Sequence, residues 1–547
     1  MNGAQTIRTR ALITKAFGRY GLKTIRPDAL EFLEDLIVAH EIEEDAIQTS
    51  MELLAKQYLH QEDQGNFVSK PTLQKVYESM QDENAEAADV LDADADLDNH
   101  LHFIDAFEMP WWQYSLERQT FEKPSRLPTA AGEPESRARM YRDRLQIIRR
   151  IILRNEHFAP AAFQSRDKLA PLKLRSTKDL LGHAGSDTAF MLFGMLAYTP
   201  KGHLCLEDLD GRVILDISSV EPGEGLYTEG CMVMVEGVYN ENEILEVHAI
   251  GHPPCERRKR ARDIDGHFDF LGKGASTLLD DITWKNRMKE FEHVAFVVIS
   301  DLWLDEPRIP DALRRLFEKC IALGWLPKVF IFCGNFSSTP IQGSSKDLER
   351  YQDGFDELGN IITSYSAFRD SHFVFVPGPN DVCGSSVFPR PPLLPTITQR
   401  LKAKIGPKAH FMSNPCRIHA LGQEIVIFRE DMMAKFLRNL ITHKPGVSDD
   451  DLKKYLFQTI LDQCHLSPLP QSVQPILPEY DHTMRLYPLP TTLILADKYQ
   501  RYQEHYEGCH VFNPGSFLGN QFGFSTYFPH SISTEESELD AEEQEAE

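Results

Sequence analysis

The sequence predicts a multidomain α+β protein with an N-terminal helical domain, a small β-barrel and a larger α/β domain. Three observations support this. Apolar residues recur at helical spacing in the first 80 residues, five short alternating strands crowd into about 65 residues, and buried strands then alternate with helices. A length of 547 residues also exceeds one domain. We therefore expect about three or four compact units.

The N-terminal domain is predicted to span residues 1–80. Gln5–Gln61 has helical periodicity, Pro27 opens a second helix, and Leu30, Leu33 and Ile37 mark one apolar face. A further helix is expected over Val68–Met80. An amphipathic unit of this size on a flexible tether is typical of a docking domain.

Acidic charge is concentrated in two segments. Gln81–Asn99 holds eight acidic residues and no basic one, and so does Thr534–Glu547, so they supply −16 of the net charge of −24. We interpret residues 81–100 as a flexible linker and residues 531–547 as a disordered tail. The overall charge argues against a protein that coats nucleic acid, and the apolar runs are too short to span a membrane.

Residues 101–165 are predicted to be a connecting segment with a helix over Ser136–Arg154. Ahead of that helix, Thr120–Glu135 is rich in Pro, Ser and Gly. This composition predicts a second flexible linker.

Residues 166–262 are predicted to form an OB-type barrel. The Asp210-Gly211 pair marks a hairpin, and the strands carry acidic rather than basic and aromatic side chains. This favours an interaction module over a single-strand-binding module, which remains open. The five predicted strands are Phe190–Ala197, His203–Asp208, Arg212–Ile217, Cys231–Tyr239 and Ile244–Ile250.

A basic run follows the barrel and consists of Arg257, Arg258, Lys259, Arg260 and Arg262. It is interpreted as a nuclear-import signal, a phosphate contact or a solvated loop. The nine cysteines include no CxxC pair, which predicts reduced thiols in a cytosolic or nuclear protein rather than a metal or disulfide framework.

Residues 284–530 are predicted to form the α/β domain. Helices are expected over Ile309–Leu323 and Lys346–Tyr365. Near-continuous apolar runs predict strands that are covered on both faces. These runs are Val294–Ser300, Val329–Phe332, Phe373–Val376, Glu424–Phe428 and Thr492–Ala496.

Polar residues follow these strands, where α/β domains place their chemistry. Their order resembles the calcineurin-like metallophosphoesterases, whose signature runs D-x-H, G-D-x-x-D, G-N-H-D, a lone His and G-H-x-H. A two-metal centre needs several carboxylate and imidazole ligands. Here Asp301 matches the first Asp, but Trp303 stands at the ligand-His position. The remaining positions of the signature hold Asn335, Asn380, Asp381, His465, Asp497 and Tyr499. Together with Asp301 and Trp303, we call these the vestigial positions.

The surviving ligands are too few for a bimetal centre. We therefore predict a phosphoesterase-like domain with no catalytic residue, metal or cofactor of its own. One alternative is a single-metal or regulatory site built from Asp301, Asp381, His465 and Asp497. Another is a metal-dependent phosphodiesterase or nuclease with a degenerate active site.

A barrel beside an inactive phosphoesterase-like domain is similar to the B subunits of replicative DNA polymerases, and several strings resemble those of DNA polymerase epsilon. These strings are Val298–Asp305, Phe332–Ser338, Phe373–Pro379, Asn414–Ile418, Phe428–Asp431, Ala496–Tyr499 and Asn513–Phe517, with Leu206–Asp208 and Gly225–Gly230 in the barrel.

The resemblance implies a nuclear, non-catalytic scaffold in DNA replication, within a complex that has DNA-directed DNA polymerase activity. Its implied partners are the metal-binding C-terminal region of the catalytic subunit, the other polymerase epsilon subunits and the replicative helicase assembly. The N-terminal domain, which resembles the lid of AAA-type ATPases, is expected to contact the helicase assembly. DNA contact is expected to be weak or indirect.

Overall fold

The computed structural model describes residues 3–22, 24–39, 44–59, 67–77, 97–158, 172–180, 182–185, 188–274, 284, 287–341, 344–382, 386–519 and 521–539. The predicted acidic linker lies outside these residues except for 97–100. No helix among the described residues has the length and apolar character needed to cross a membrane. Two compact units are present, one made of Met1–His102, Arg262–Glu290 and Ala420–Gly422 and the other of Phe103–Ala261, Phe291–His419 and Gln423–Glu547.

The α-helices agree well with the periodicity of the sequence. Ser344 caps the helix that begins at Ser345, and Ser448 and Asp451 form a capping box at a later one. The helices are α1 Gly3–Arg19, α2 Pro27–Ala39, α3 Glu44–Leu59, α4 Ser136–Arg154, α5 Arg258–Asp265, α6 Ile309–Ala322, α7 Ser345–Ser364, α8 Pro395–Ile405, α9 Met432–Arg438 and α10 Asp449–Asp462, and residues 70–77 are also helical.

Within the described ranges, the strands fall into three larger sheets and two short pairs. They are β1 Leu101–Asp105, β2 Gln113–Ser115, β3 Thr120–Glu122, β4 Leu174–Arg175, β5 Ala189–Tyr198, β6 Leu204–Glu207, β7 Arg212–Asp216, β8 Tyr227–Thr228, β9 Met232–Tyr239, β10 Ile244–Gly251, β11 Phe296–Ser300, β12 Val329–Cys333, β13 His372–Val376, β14 Ala409–Phe411, β15 Cys416–Ala420, β16 Gln423–Arg429, β17 Leu440–Thr442, β18 Thr492–Ala496, β19 Tyr502–Tyr506, β20 Cys509–Asn513, β21 Phe524–Phe528 and β22 Ser533–Ser537.

The N-terminal helices α1 to α3 enclose a core of their own. Phe17, Leu33, Ile37 and Met51 are buried there, and the predicted face at Leu30 packs against this core. The predicted helical character of this region is confirmed. Such burial supplies the main stabilisation of short helices, which are marginal in isolation.

The five predicted barrel strands are confirmed. They pair in the order β5-β6-β7-β10-β9, and β9 returns to pair with β5, which closes the barrel. β7 and β10 run parallel, whereas the other neighbours are antiparallel. Helix α4 covers one face of the barrel through Leu145, Ile148 and Ile152, which pack with Phe193 and Met232.

The α/β part, which we call the body, contains two six-stranded sheets. One has the order β14-β13-β12-β11-β21-β22, and the other has the order β1-β15-β16-β18-β20-β19. The predicted buried strands are confirmed, but they divide between the two sheets. β1 lies in residues 101–165, which were predicted to be a connecting segment. Residues well before 284, the predicted start of the α/β domain, therefore help to build the body.

Two predictions of disorder are wrong. Residues 533–537, inside the predicted tail, form β22 and pair with β21. Arg501 forms ion pairs with Glu536 and Glu538, which offsets part of the acidic charge of this strand. Thr120–Glu135 is not a flexible linker either. It begins with β3 and is then fixed to the body by hydrogen bonds to the buried carboxylate of Glu479.

Candidate functional site

The vestigial positions lie where the carboxyl ends of parallel strands meet. In the first sheet Ser300 pairs with Cys333, and Cys333 with Val376, so the loops after β11, β12 and β13 are neighbours. In the second sheet Arg429 ends β16 directly beside Ala496 at the end of β18. Hydrogen bonds from Arg429 then join the two sets of strand ends.

Asp301 sits at the centre of this arrangement. Its side chain is fully buried, and its backbone has a φ of +57°, a conformation that non-glycine residues adopt rarely. Its Oδ1 accepts hydrogen bonds from Arg429 Nη2 at 2.7 Å, Asn335 Nδ2 at 3.1 Å and the Asn335 backbone N–H at 3.2 Å. Burial raises the pKa of Asp301, but Arg429 and the other donors outweigh burial, so the net pKa is lowered and the group is an anion.

Arg429 is the residue that the motif analysis missed. Its side chain is fully buried and donates to four groups: the carboxylates of Asp301 and Asp431, and the backbone carbonyls of Gly334 and Ala496. The guanidinium therefore touches the ends of β11, β12, β16 and β18 at once. Burial opposes its charge, but the two carboxylates outweigh burial and raise its pKa further. The signal available in the sequence was a charged residue directly after the apolar run 425–428.

Asn335, Asn380 and Asp381 hold the neighbouring loops together. Asn335 donates to Asp301 and accepts a hydrogen bond from the Asn380 backbone N–H at 2.8 Å. The Asp381 carboxylate accepts three hydrogen bonds, from the backbone N–H groups of Phe336 and Gly378 and from the hydroxyl of Tyr351. Burial raises the pKa of Asp381, and these donors oppose that rise. The Asn335 amide oxygen and the Asp381 carboxylate thus accept hydrogen bonds from the chain itself.

Glycine is required at two positions of this cluster because the loops approach closely. A Cβ on Gly334 would overlap the Asp381 carboxylate, and a Cβ on Gly378 would lie 2.6 Å from Asn335 Oδ1. Real Cβ atoms do not approach other atoms this closely, so the backbone itself fills the space beside Asp301.

Some polar atoms near Asp301 have no hydrogen-bond partner in the part of the chain that the structure describes. They are Asp301 Oδ2, Ser300 Oγ and Trp303 Nε1, and all three are buried. An indole N–H is a donor without a lone pair, so Trp303 cannot replace the metal-binding histidine.

Asp497 and Tyr499 cap local backbone. Asp497 accepts hydrogen bonds from the backbone N–H groups of Met433 and Tyr499, at 2.8 and 3.0 Å. Burial raises the pKa of Asp497 to about 6 and also raises the pKa of Tyr499. Asp497 lies in the same region as Arg429, which contributes to its electrostatic environment.

His465 belongs to a different cluster. Its Nδ1 accepts a hydrogen bond from the Ser467 backbone N–H, and its Nε2 lies 3.2 Å from Asp481 Oδ1. Asp481 also pairs with Arg144 of helix α4. Burial, together with Arg144, lowers the pKa of His465 to about 4, so the ring is neutral. No hydrogen bond joins His465 to the Asp301 cluster among the described residues.

A two-metal centre does not fit these side chains. Asp301, Asn335 and Asp381 accept hydrogen bonds from the chain, and a buried guanidinium already pairs with the Asp301 carboxylate. Within the described residues, no group of three or more His, Cys, Asp or Glu side chains has a geometry that could hold a metal ion.

The basic run lies in and beside helix α5 and is largely paired. Arg257 pairs with Glu507, Arg258 with Glu424, and Arg260 with Glu256. Lys259 is exposed, and Arg262 is half-buried. These contacts account structurally for three of the five residues, and the predicted import or phosphate role stays a prediction.

Comparisons with known proteins agree with this arrangement. A family model described as DNA polymerase epsilon subunit 2-like, OB-fold domain, matches residues 134–254, and the model of the B subunits of DNA polymerases alpha and epsilon matches residues 296–504. DNA polymerase epsilon subunit 2 of Mus musculus is 32% identical over 544 residues, which cover 97% of this chain and 99% of the mouse protein. The chain belongs to the DNA polymerase epsilon subunit 2 family.

Other members of the epsilon subunit 2 family match similarly. The Homo sapiens protein is 32% identical, over 98% of this chain and 99% of its own length. The B subunit of DNA polymerase epsilon from Arabidopsis thaliana is 34% identical, over 81% of this chain and 83% of its own. Among solved structures, an archaeal phosphodiesterase has 12% identity and a TM-score of 0.24, and the match covers 44% of this chain and 98% of that chain.

Proposed function

We propose that this chain is a non-catalytic accessory subunit that holds the C-terminal region of the polymerase epsilon catalytic subunit and links it to the replicative helicase assembly in the nucleus. The other polymerase epsilon subunits are further partners. The complex, rather than this chain, carries the DNA-directed DNA polymerase activity. Family membership supports the subunit assignment, and the hydrogen bonds of Arg429 with Asp301 and the strand ends support the absence of catalysis.

The observation that carries the proposal is the position of Arg429. Its guanidinium links the ends of strands from both sheets, where a metallophosphoesterase would need open ligands. A metal-bound water needs a cation with a free coordination position. Here Asp301 Oδ1, the Asn335 amide and the Asp381 carboxylate are engaged in hydrogen bonds that stabilise the strand ends, so the site favours a structural role.

The junction of barrel and body supports a scaffold. β8 of the barrel segment pairs with β17 of the body, and the Leu226 backbone N–H donates to Thr459 Oγ1 at 2.9 Å. Gln463 binds both backbone groups of Met232, at 2.6 and 2.7 Å. Two domains fixed by buried hydrogen bonds present one continuous surface, which suits a large partner.

The surface of the barrel favours protein partners over single-stranded DNA. Residues on β6 and β7 include Glu207, Arg212 and Asp216, whereas single-strand binders present basic and aromatic side chains. Helix α4 covers the face that carries Phe193 and Met232. We therefore propose that contact with DNA is weak or indirect.

Co-purification tests the proposal. We expect the full chain to form a stable one-to-one complex with the C-terminal region of the polymerase epsilon catalytic subunit in size-exclusion chromatography. The matched variant for the helicase assembly is a chain that lacks residues 1–100. It should retain the catalytic-subunit region and lose co-purification with the helicase assembly. A full chain that stays monomeric beside the catalytic-subunit region would refute the scaffold role.

A further inference from the structure

An open apolar groove lies on the body between helix α8 and strand β14. It has a volume of about 630 Å³, which is within the usual range of ligand sites. Leu393 and Phe411 form apolar walls, and Lys402 and Ala403 stand on the helix side. Leu394 beside the groove exposes 40% of its surface, which is unusual for a leucine next to a core.

The groove adjoins an unpaired sheet edge. β14 is the terminal strand of its sheet, and among the described residues it pairs only with β13. In the parallel register Phe411 stands opposite Phe375, and the Met412 backbone N–H donates to the Phe375 carbonyl. Alternate residues of a parallel strand bond to a given neighbour. The N–H and C=O of Phe411 therefore point away from β13. At the neighbouring outward positions of this edge, the Ala409 N–H already donates to the Gly406 carbonyl and the Ser413 N–H to Asp105 Oδ2, so among the described residues Phe411 is the position left for a partner strand.

The charge around the groove is one-sided. Residues 395–412 contain four basic residues and no acidic one, in a chain whose net charge is −24. On helix α8, Arg400 pairs with Asp353, and Lys404 pairs with Asp356 of α7. Lys402 lies between them and is exposed, and no described side chain neutralises it.

We propose that this groove binds an extended acidic and apolar segment of a partner protein, which adds as a strand to β14. The partner backbone would bond to the N–H and C=O of Phe411, an apolar side chain would pack between Leu393 and Phe411, and a carboxylate would pair with Lys402. Strand addition gains affinity from main-chain hydrogen bonds and specificity from pockets for alternate side chains. The inference goes beyond the proposed function, because it assigns a further peptide site with its own chemistry.

A nucleic acid fits this surface less well. Binding of phosphates needs several free basic groups, whereas Arg400 and Lys404 already have acidic partners. The apolar walls also offer more to a branched aliphatic side chain than to a phosphate backbone. An oligonucleotide is therefore a competing outcome of the test.

The test uses the full chain and a fluorescein-labelled ten-residue peptide of alternating valine and glutamate. We expect saturable binding by fluorescence anisotropy. Lys402→Glu, which reverses the free charge, and Ala403→Trp, which fills the groove without adding a charge, should each weaken binding at least tenfold. Both residues are exposed, so the fold should survive, which thermal melts verify. Lys346→Glu at an exposed position of α7 is the matched control and should change affinity less than twofold.

Hydrogen exchange supplies a second readout. Bound peptide should slow exchange of the Phe411 amide and leave the amide of Met412, which already bonds to β13, unchanged. The proposal is overturned by the absence of binding up to 1 mM peptide, by equal binding to Lys402→Glu, or by a twelve-nucleotide oligo(dT) that binds and displaces the peptide. Failure here leaves complex formation with the catalytic subunit intact, so the two proposals fail separately.

Discussion

Replacement of Arg429 by alanine is expected to lower the free energy of unfolding of the body by about 3–5 kcal/mol, because it leaves the Asp301 carboxylate buried without its countercharge. The carbonyls of Gly334 and Ala496 also lose a donor. For a domain of this size we expect a decrease in Tm of about 10 °C. Scanning calorimetry of the full chain measures the change.

Arg308→Ala is the matched control for this prediction. Its guanidinium is 64% exposed and pairs with Glu306 at the surface, so its loss should change stability by less than about 0.5 kcal/mol. Removing both buried charges, with Arg429→Met and Asp301→Asn together, should recover part of the loss, because asparagine keeps an acceptor for Asn335 and tolerates the positive φ. A decrease below about 1 kcal/mol for Arg429→Ala would show that the guanidinium does not neutralise Asp301 as described.

Replacement of Glu479 by alanine is the second change with a large expected effect. The carboxylate is buried and accepts hydrogen bonds from Arg126, from Thr129 and from Ser136, together with the backbone N–H of Glu133. Arg126 first, and then the other donors, lower the pKa of Glu479 against the opposing effect of burial. Loss of these bonds should cost about 3 kcal/mol. It should also release residues 123–135 from the body.

Limited proteolysis with trypsin measures that release. In the unmodified chain Arg126 should resist cleavage, whereas in Glu479→Ala it should become an early site. Glu133→Ala is the control, because the Glu133 side chain is half exposed and makes only surface pairs, so the segment should stay protected. Early cleavage at Arg126 in the unmodified chain would contradict the anchoring by Glu479.

Local patterns predicted much of this fold. The apolar runs of β11, β12, β13, β16 and β18 are recognisable because both faces of these strands are buried. The Asp210-Gly211 turn likewise marks the hairpin between β6 and β7. Asp301 was found because its position after β11 carries a family motif.

The buried ion pairs could not be found in the same way. Arg429 meets Asp301 across 128 residues of sequence, and Arg126 meets Glu479 across 353. Neither pair leaves a local periodic signal. Composition was also misleading for 120–135 and 533–537, since Pro, Ser and Glu are typical of disorder. Here Glu479 binds the backbone of Thr129 and Glu133, and residues 533–537 pair with β21.

The central claim is that a buried guanidinium has taken the place of a catalytic metal pair. Its most direct test is the metal content of the purified chain after dialysis against Mn²⁺, with hydrolysis of bis(p-nitrophenyl) phosphate assayed on the same sample. We predict no stoichiometric metal and no turnover above a blank, both in the unmodified chain and in Asp301→Asn. Bound Mn²⁺ with turnover that Asp301→Asn abolishes would contradict the account and favour a metal-dependent phosphodiesterase.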